Sequence, residues 1–186
     1  MRILGVDPGL RITGYGLIDA FPSKTGLPRM DVLEAGVVRT NEKSGIAERL
    51  RKIYTSLFTL IKEEKPDVLV IEKLYAHYGH PATAILMGHA RGAVCLLAGM
   101  HGLPLESIAS TQVKKALAGH GHAGKAQIQS MVQHLLGLKK QPEPPDVADA
   151  LAVAIAYASQ RMVRQAHHQA KIRLDPERRA KRGVEG

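Results

Sequence analysis

The sequence predicts an α/β domain of ordinary size, and three observations carry that prediction. Five short apolar runs have the length of strands, segments with helical spacing separate the later ones, and turn residues punctuate most boundaries. With 186 residues, 45% of them hydrophobic, the chain is long enough for one substantial core.

Ile3 to Val6 is a buried-strand run closed by Asp7, and Pro8-Gly9 breaks the chain directly after it. Thr13 to Ala20 reads as a second strand, in which Gly14 and Gly16 allow close backbone approach. Phe21 to Pro28 is a loop and Met30 to Arg39 a third strand; short connections among the three fit an antiparallel meander. At Gly45 the spacing changes. Ile46, Leu50, Ile53, Leu57 and Leu60 form one helical stripe up to Glu64, with Ser44 as N-cap and Pro66 as stop. Asp67 to Ile71 is almost continuously apolar, the pattern of a central strand covered on both faces, and it ends at Glu72.

A loop from Leu74 to Pro81 leads to a helix over Ala82 to Met100, where Ala84, Gly88 and Gly92 give a small-residue face suited to close packing. Leu103 to Ile108 is the fifth strand. Ser110 or Thr111 caps a short helix holding Lys114 and Lys115, and a turn rich in glycine and histidine precedes a helix from Lys125 to Leu138. The rigid break Pro142-Glu143-Pro144-Pro145 opens a last helix to about Arg164, with Asp146 and Asp149 near its start. The expected organisation is a folded domain over 1–165 and a basic tail over 166–186, polar enough to be mobile in the free protein.

Composition narrows the function. No apolar run approaches the roughly 18 residues of a membrane span, and the opening residues lack a signal-peptide layout. The single cysteine, Cys95, excludes an intrachain disulfide and reads as a small core thiol. A cytoplasmic location is expected. The formal charge of +9 points to a polyanionic partner. From Arg161 to Gly186 there are eight Lys/Arg against three Asp/Glu, and no acid occurs between Glu106 and Glu143, a window holding Lys114, Lys115, Lys125, Lys139 and Lys140. Such a window favours phosphate contact.

Four carboxylates stand out. Asp7 and Glu72 close two strands, while Asp146 and Asp149, three apart, share a helix face. Each has a plain structural role open to it: Asp7 as a turn cap, the helical pair as favourable charges at a helix start. Together they suggest more. Were the Asp7 and Glu72 strands parallel neighbours, both carboxylates would leave one sheet edge, and the last helix could lay its first turn across it. Four like charges repel unless cations share them, and an all-oxygen donor set suits Mg²⁺ or Mn²⁺. Two such ions, about 3.5–4 Å apart, serve phosphodiester hydrolysis.

The chain resembles the RuvC family of bacterial Holliday-junction resolvases within the ribonuclease H-like superfamily. The resemblance runs from Arg2 to about Ala158. It rests on Gly5-Val6-Asp7-Pro8-Gly9 with Thr13-Gly14-Tyr15-Gly16, on Ile71-Glu72, on Ala90-Arg91-Gly92, on Gln112-Val113-Lys114, and on Asp146 through Ala152. It implies a mixed five-stranded sheet flanked by helices, strands one to three antiparallel and strands four and five parallel to the first. It also implies a homodimer that resolves four-way DNA junctions by paired symmetrical nicks in recombination and repair, with two Mg²⁺ ions per site (Mn²⁺ substituting) and branch-migration partners RuvA and RuvB. Asp7, Glu72, Asp146 and Asp149 match the family's metal-binding catalytic acids, and Lys114 and Lys125 match lysines that face DNA beside them. Tyr75 falls where the family places an aromatic near the junction centre, and Lys115 belongs to the same basic window.

Two positions depart from the family pattern. Lys73, after Glu72, stands where it can screen the acids or meet phosphate, and His89 replaces a more usual Gln. His77 and His80 read as DNA-facing loop residues rather than zinc ligands. Asp7-Pro8-Gly9 with Thr13-Gly14 also resembles the first phosphate loop of actin-like and sugar-kinase ATPases, but those need a second lobe that 186 residues leave no room for. The competing functions are a ribonuclease H-like nuclease acting on RNA, and a junction-binding module without catalysis.

Overall fold

The computed structural model describes residues 1–23, 28–73 and 81–174, the side chains of 81–82 and 165–174 excepted. Ten elements follow the chain: β1 Arg2–Asp7, β2 Ile12–Phe21, β3 Arg29–Arg39, α1 Ile46–Glu64, β4 Val68–Glu72, α2 Pro81–Met100, β5 Leu105–Ile108, α3 Ser110–Ala118, α4 Lys125–Leu135 and α5 Pro145–Leu174. The five strands form one mixed sheet ordered β3-β2-β1-β4-β5, antiparallel from β1 through β3 and parallel across β1, β4 and β5.

Side-chain alternation divides this sheet into two faces. Leu4, Val6, Leu17, Leu69 and Ile71 point to one side, where α1 supplies Ile53 and Leu57 and α2 supplies Ala90, Val94 and Leu97. Ile3, Ile18, Val68 and Val70 point to the other, against α5, which is covered in turn by α3 and α4. From Val147 to Ala158 nearly every α5 side chain is buried, as a helix apolar on all sides must be.

Several boundaries differ from the sequence reading. The N-cap of α1 is Gly45 rather than Ser44, and Ile46, the first residue of the expected stripe, is 42% exposed. Lys65 ends that helix in the left-handed region (φ 48°) ahead of Pro66, as expected of the stop. Helix α3 is capped by the Ala109 backbone, whose amide donates to Gln112 Oε1 (3.3 Å), so Ser110 is inside the helix and not its cap. Helix α4 stops at Leu135, ahead of a left-handed Gly137, and α5 continues ten residues past Arg164 to Leu174.

The α2 expectation needs the largest revision. Among the described residues nothing packs against Gly88 or Gly92: a Cβ on either would meet none of their atoms within 4 Å. Ile85, Leu96 and Met100 lie on the same stripe and are 58–63% exposed. Against the expectation that no run reaches the length of a membrane span, Thr83–Met100 is long and apolar enough, by length and composition, to cross one. The opposite face of the helix nevertheless buries Ala90, Val94, Leu97 and Ala98 in the core, and Arg91 hydrogen-bonds to the sheet.

Candidate functional site

Register brings the first two acids together. In the parallel β1–β4 pair Val6 lies opposite Ile71, so Asp7 and Glu72 are the next residues on adjacent strands. Both continue the face that carries Ile3 and Val68, which places their side chains toward α5 rather than toward α1. The turn after Asp7 is fixed by other groups: Thr13 Oγ1 donates to the Gly9 carbonyl (2.7 Å) and Thr40 Oγ1 to the Leu10 carbonyl (2.6 Å). The Asp7 carboxylate is thereby left for the site instead of capping its own turn.

Helix α5 brings the other two, and glycine is what lets it. Gly14 is the cross-strand partner of Asp7, and a Cβ there would fall 2.0 Å from the Asp146 carbonyl oxygen. At Gly5 a Cβ would fall 2.2 Å from the Ala150 carbonyl oxygen. The first turn of α5 thus rests directly on the backbone of β1 and β2, with Asp146 above the neighbour of Asp7 and Asp149 one turn along. Pro145 starts that helix at a position where no amide donor is needed.

The charges at this edge are strongly coupled. The Asp7 carboxyl is pushed up to about 7, first by burial and then by Asp149, Glu72 and Asp146, while Lys125 opposes the rise. Burial also raises Glu72; the Ser110 hydroxyl and Lys114 counter it, and Asp149 adds to it. Lys125 Nζ lies 2.9 Å from Asp149 Oδ2, and that bond raises the lysine's own pKa. A cleft of about 240 Å³ opens beside this cluster, lined by Glu72, Ser110, Lys114, Lys125 and Asp149 but not by Asp7 or Asp146.

The four acids therefore cluster at one sheet edge, with Lys114 and Lys125 lining the cleft beside Glu72 and Asp149. Lys115 and Lys73 are exposed and are not among the residues lining that cleft. Tyr75, His77 and His80 fall outside the described residues. Among the described residues no three His, Cys, Asp or Glu side chains are drawn tightly enough together to enclose an ion. Asp149, for its part, is turned to Lys125. The donor chemistry still fits divalent cations: every acid offers hard oxygen, and Asp7 is raised first by burial and then by the repulsion of three other acids, which a shared cation relieves.

Two contributors escaped the sequence reading as functional residues. Arg91, noted only within a motif, reaches from α2 to donate to the Glu72 carbonyl and to Ser107 Oγ (3.0 Å), holding the ends of β4 and β5 beside the site. Ser110, expected as a helix cap, instead faces Glu72. Neither carries a local signal: an arginine in an apolar helix and a serine at a helix start have many common roles.

Comparison with known proteins gives a consistent result. Residues 3–157 match the protein family described as "Crossover junction endodeoxyribonuclease RuvC". A protein so named from Rhodopirellula baltica is 46% identical over 153 residues, 82% of this chain and 83% of its own length. One from Alkaliphilus oremlandii is 45% identical over 158 residues, 85% of this chain and 93% of its own length. Among solved structures, Thermus thermophilus RuvC in complex with Holliday junction substrate superposes with a TM-score of 0.81 at 32% identity, covering 88% of this chain and 96% of that one. The yeast mitochondrial Holliday junction resolvase Ydc2 shares the fold at 15% identity and a TM-score of 0.62, covering 91% of this chain and 83% of that one.

Proposed function

Because the chain belongs to the RuvC family of crossover junction endodeoxyribonucleases, we propose that it resolves four-way DNA junctions by paired symmetrical nicks. The observation that carries this reading is the placement of Asp7, Glu72, Asp146 and Asp149 at one sheet edge beside a cleft bordered by Lys114 and Lys125. A phosphate entering that cleft meets Lys114 and Lys125 together with Glu72 and Asp149, cations and acids side by side as a phosphodiester nuclease needs.

Asp7, Glu72, Asp146 and Asp149 would hold divalent ions, Mg²⁺ with Mn²⁺ as substitute and two per site. Such ions supply the Lewis acidity that phosphodiester hydrolysis requires. The protein's own groups do the rest. Asp7 and Glu72 sit on strand ends pinned by Thr13, Thr40 and Arg91, so their carboxylates keep one position as charge builds up. Lys125, drawn away from Asp149 by an incoming phosphate, donates to its non-bridging oxygens, and Lys114 does the same from α3. In the overall step a water oxygen bonds to phosphorus and gives up one proton, the bond to the 3′ oxygen breaks, and that oxygen gains a proton in exchange, leaving 5′-phosphate and 3′-hydroxyl ends. Lys73 and Lys115 add backbone contacts outside the cleft, and Tyr75 stacks on a base near the junction centre.

The homodimer is supported by α2, whose open stripe of Ile85, Gly88, Gly92, Leu96 and Met100 offers a self-complementary apolar face. The organisation proposed is a nuclease domain over 1–165 with residues 166–186 as a basic appendage for DNA, in a cytoplasmic protein that works with RuvA and RuvB.

The test is a synthetic mobile four-way junction incubated with wild type and Asp7→Asn, with and without Mg²⁺. Wild type gives paired symmetrical nicks only with Mg²⁺, and the variant binds without cutting. Cutting of plain duplex or of an RNA duplex at the same rate would overturn the junction assignment.

A further inference from the structure

On the far side of the turn that follows Asp7, the same sheet edge carries a second basic region. Residues 39–52, from the end of β3 into the start of α1, hold five Lys/Arg and two Asp/Glu. One of those acids, Glu42, is already paired with Arg11 at 2.8 Å. The other, Glu48, lies in the first turn of α1, where it favours the helix dipole. A cleft of about 280 Å³ opens there, lined by Thr40, Asn41, Ser44, Arg49, Arg51 and Lys52 as well as Glu48.

Hydrogen bonds connect this cleft to the turn that follows Asp7. Arg49 Nε donates to Thr40 Oγ1 (3.0 Å), Thr40 Oγ1 donates to the Leu10 carbonyl (2.6 Å), and the Thr40 amide donates to the Arg11 carbonyl (3.1 Å). Leu10 and Arg11 lie three and four residues past Asp7. Topology gives the same placement: β1 and β3 both end, and β2 begins, at the edge where Asp7 emerges. The lysines of the catalytic cleft are on α3 and α4, across the sheet from α1. Cations therefore flank the acids on both sides of the sheet edge.

We infer that this cleft is a second phosphate-binding surface, in which Arg51 and Lys52 grip the backbone of a duplex arm of the junction away from the scissile phosphate. The inference rests on the junction-cutting function proposed above. Arg51 and Lys52 are exposed, and neither has an acid partner among the described salt bridges, so both are available to an outside anion. Thr40, Asn41 and Ser44 add hydroxyl and amide groups of the kind that fix a sugar–phosphate chain in register without reading bases. Arg49, by contrast, is committed to Thr40 and acts as the strut between the cleft and the Asp7 turn.

The experiment compares Arg51→Gln with Lys52→Gln, made together in the intact protein, with a charge-matched pair at the other end of α1, Lys62→Gln with Lys65→Asn. Binding of a fluorescent four-way junction is measured in EDTA over a salt series, and nicking is measured with Mg²⁺ at saturating junction. Losing two phosphate contacts per protomer, four in the dimer on its junction, should flatten the slope of log affinity against log salt by about four and weaken binding by about tenfold or more at low salt. The saturating nicking rate should stay at the wild-type value, and the far pair should leave slope and affinity unchanged. A slope and affinity equal to wild type would overturn the inference, as would equal weakening by the far pair, or a fall in the saturating rate. The slope comparison does not depend on cutting. Wild type that binds but fails to nick overturns the function reading alone, and the salt slopes still decide the second surface.

Discussion

At Asp7 the physical demands of the site are most concentrated. Its carboxyl is pushed up to about 7 by burial and by three other acids beside it, with Lys125 opposing the rise. The consequence for stability has a definite sign. An unfolded Asp titrates near pH 4, so between about pH 4 and 7 the folded protein binds more protons than the unfolded chain. Stability without divalent ions therefore falls as pH rises through that window and levels off above it; Glu72, also raised, acts in the same direction. Asp7→Asn should flatten the decline and leave the variant more stable than wild type at pH 8 in EDTA. Urea midpoints at pH 5 and pH 8 check this, and equal pH dependence in the two proteins would contradict it. Asp7 was readable as a site acid only in company: alone, an Asp before Pro-Gly is as good a turn cap. The residues that free it from capping, Thr13 and Thr40, hydrogen-bond through folded geometry that no local pattern announces.

Among the elements, the pairing of α5 with β1 and β2 decides whether there is a site at all. The closeness of helix to sheet depends on missing side chains, and Gly14 is its most demanding point. Gly14→Ala would put a Cβ 2.0 Å from the Asp146 carbonyl oxygen. Since backbone rather than a flexible side-chain tip is in the way, the first turn of α5 must lift. We expect a loss of roughly 1–3 kcal/mol in urea unfolding and a larger loss of nicking than of junction binding, because Asp146 moves off the Asp7 neighbour. Unchanged nicking would show that the helix start tolerates displacement. The sequence made the glycines visible as positions of close approach, and Pro145 and Asp146 visible as a helix start. The helix boundaries were less legible where backbone groups replaced side chains as caps, at Gly45 and Ala109. The long run of α5 past Arg164 was missed because polar, basic residues there give no apolar spacing to follow.

For the whole molecule, the open question is what α2 does with its outer stripe. Helical spacing identified Ala84, Gly88 and Gly92 as a packing face, and none of the described residues packs against the two glycines. A residue pattern shows that a face is apolar but not whether its partner belongs to the same chain. A dimer through this stripe places a second copy against Leu96, so Leu96→Glu should turn a dimer into a monomer by light scattering while leaving the circular dichroism spectrum intact. Junction cutting should then lose its paired character, with single nicks in place of simultaneous ones. A variant that remains dimeric would move the interface elsewhere. The order of the five strands follows from the same balance of local and distant signals: each strand was visible in its own residues, whereas parallel pairing of β1 with β4 came from family resemblance and not from spacing.

The central claim is that Asp7, Glu72, Asp146 and Asp149 act together as one divalent-ion site, and ion binding tests it without DNA or catalysis. Mn²⁺ titrated into the intact protein at pH 8, followed by electron paramagnetic resonance, should show two ions per chain for wild type. Asp7→Asn should lose at least one of them and weaken the other by tenfold or more. Equal stoichiometry and affinity in the two proteins would contradict the account, since the acid with the most perturbed carboxyl at that edge would then hold no metal.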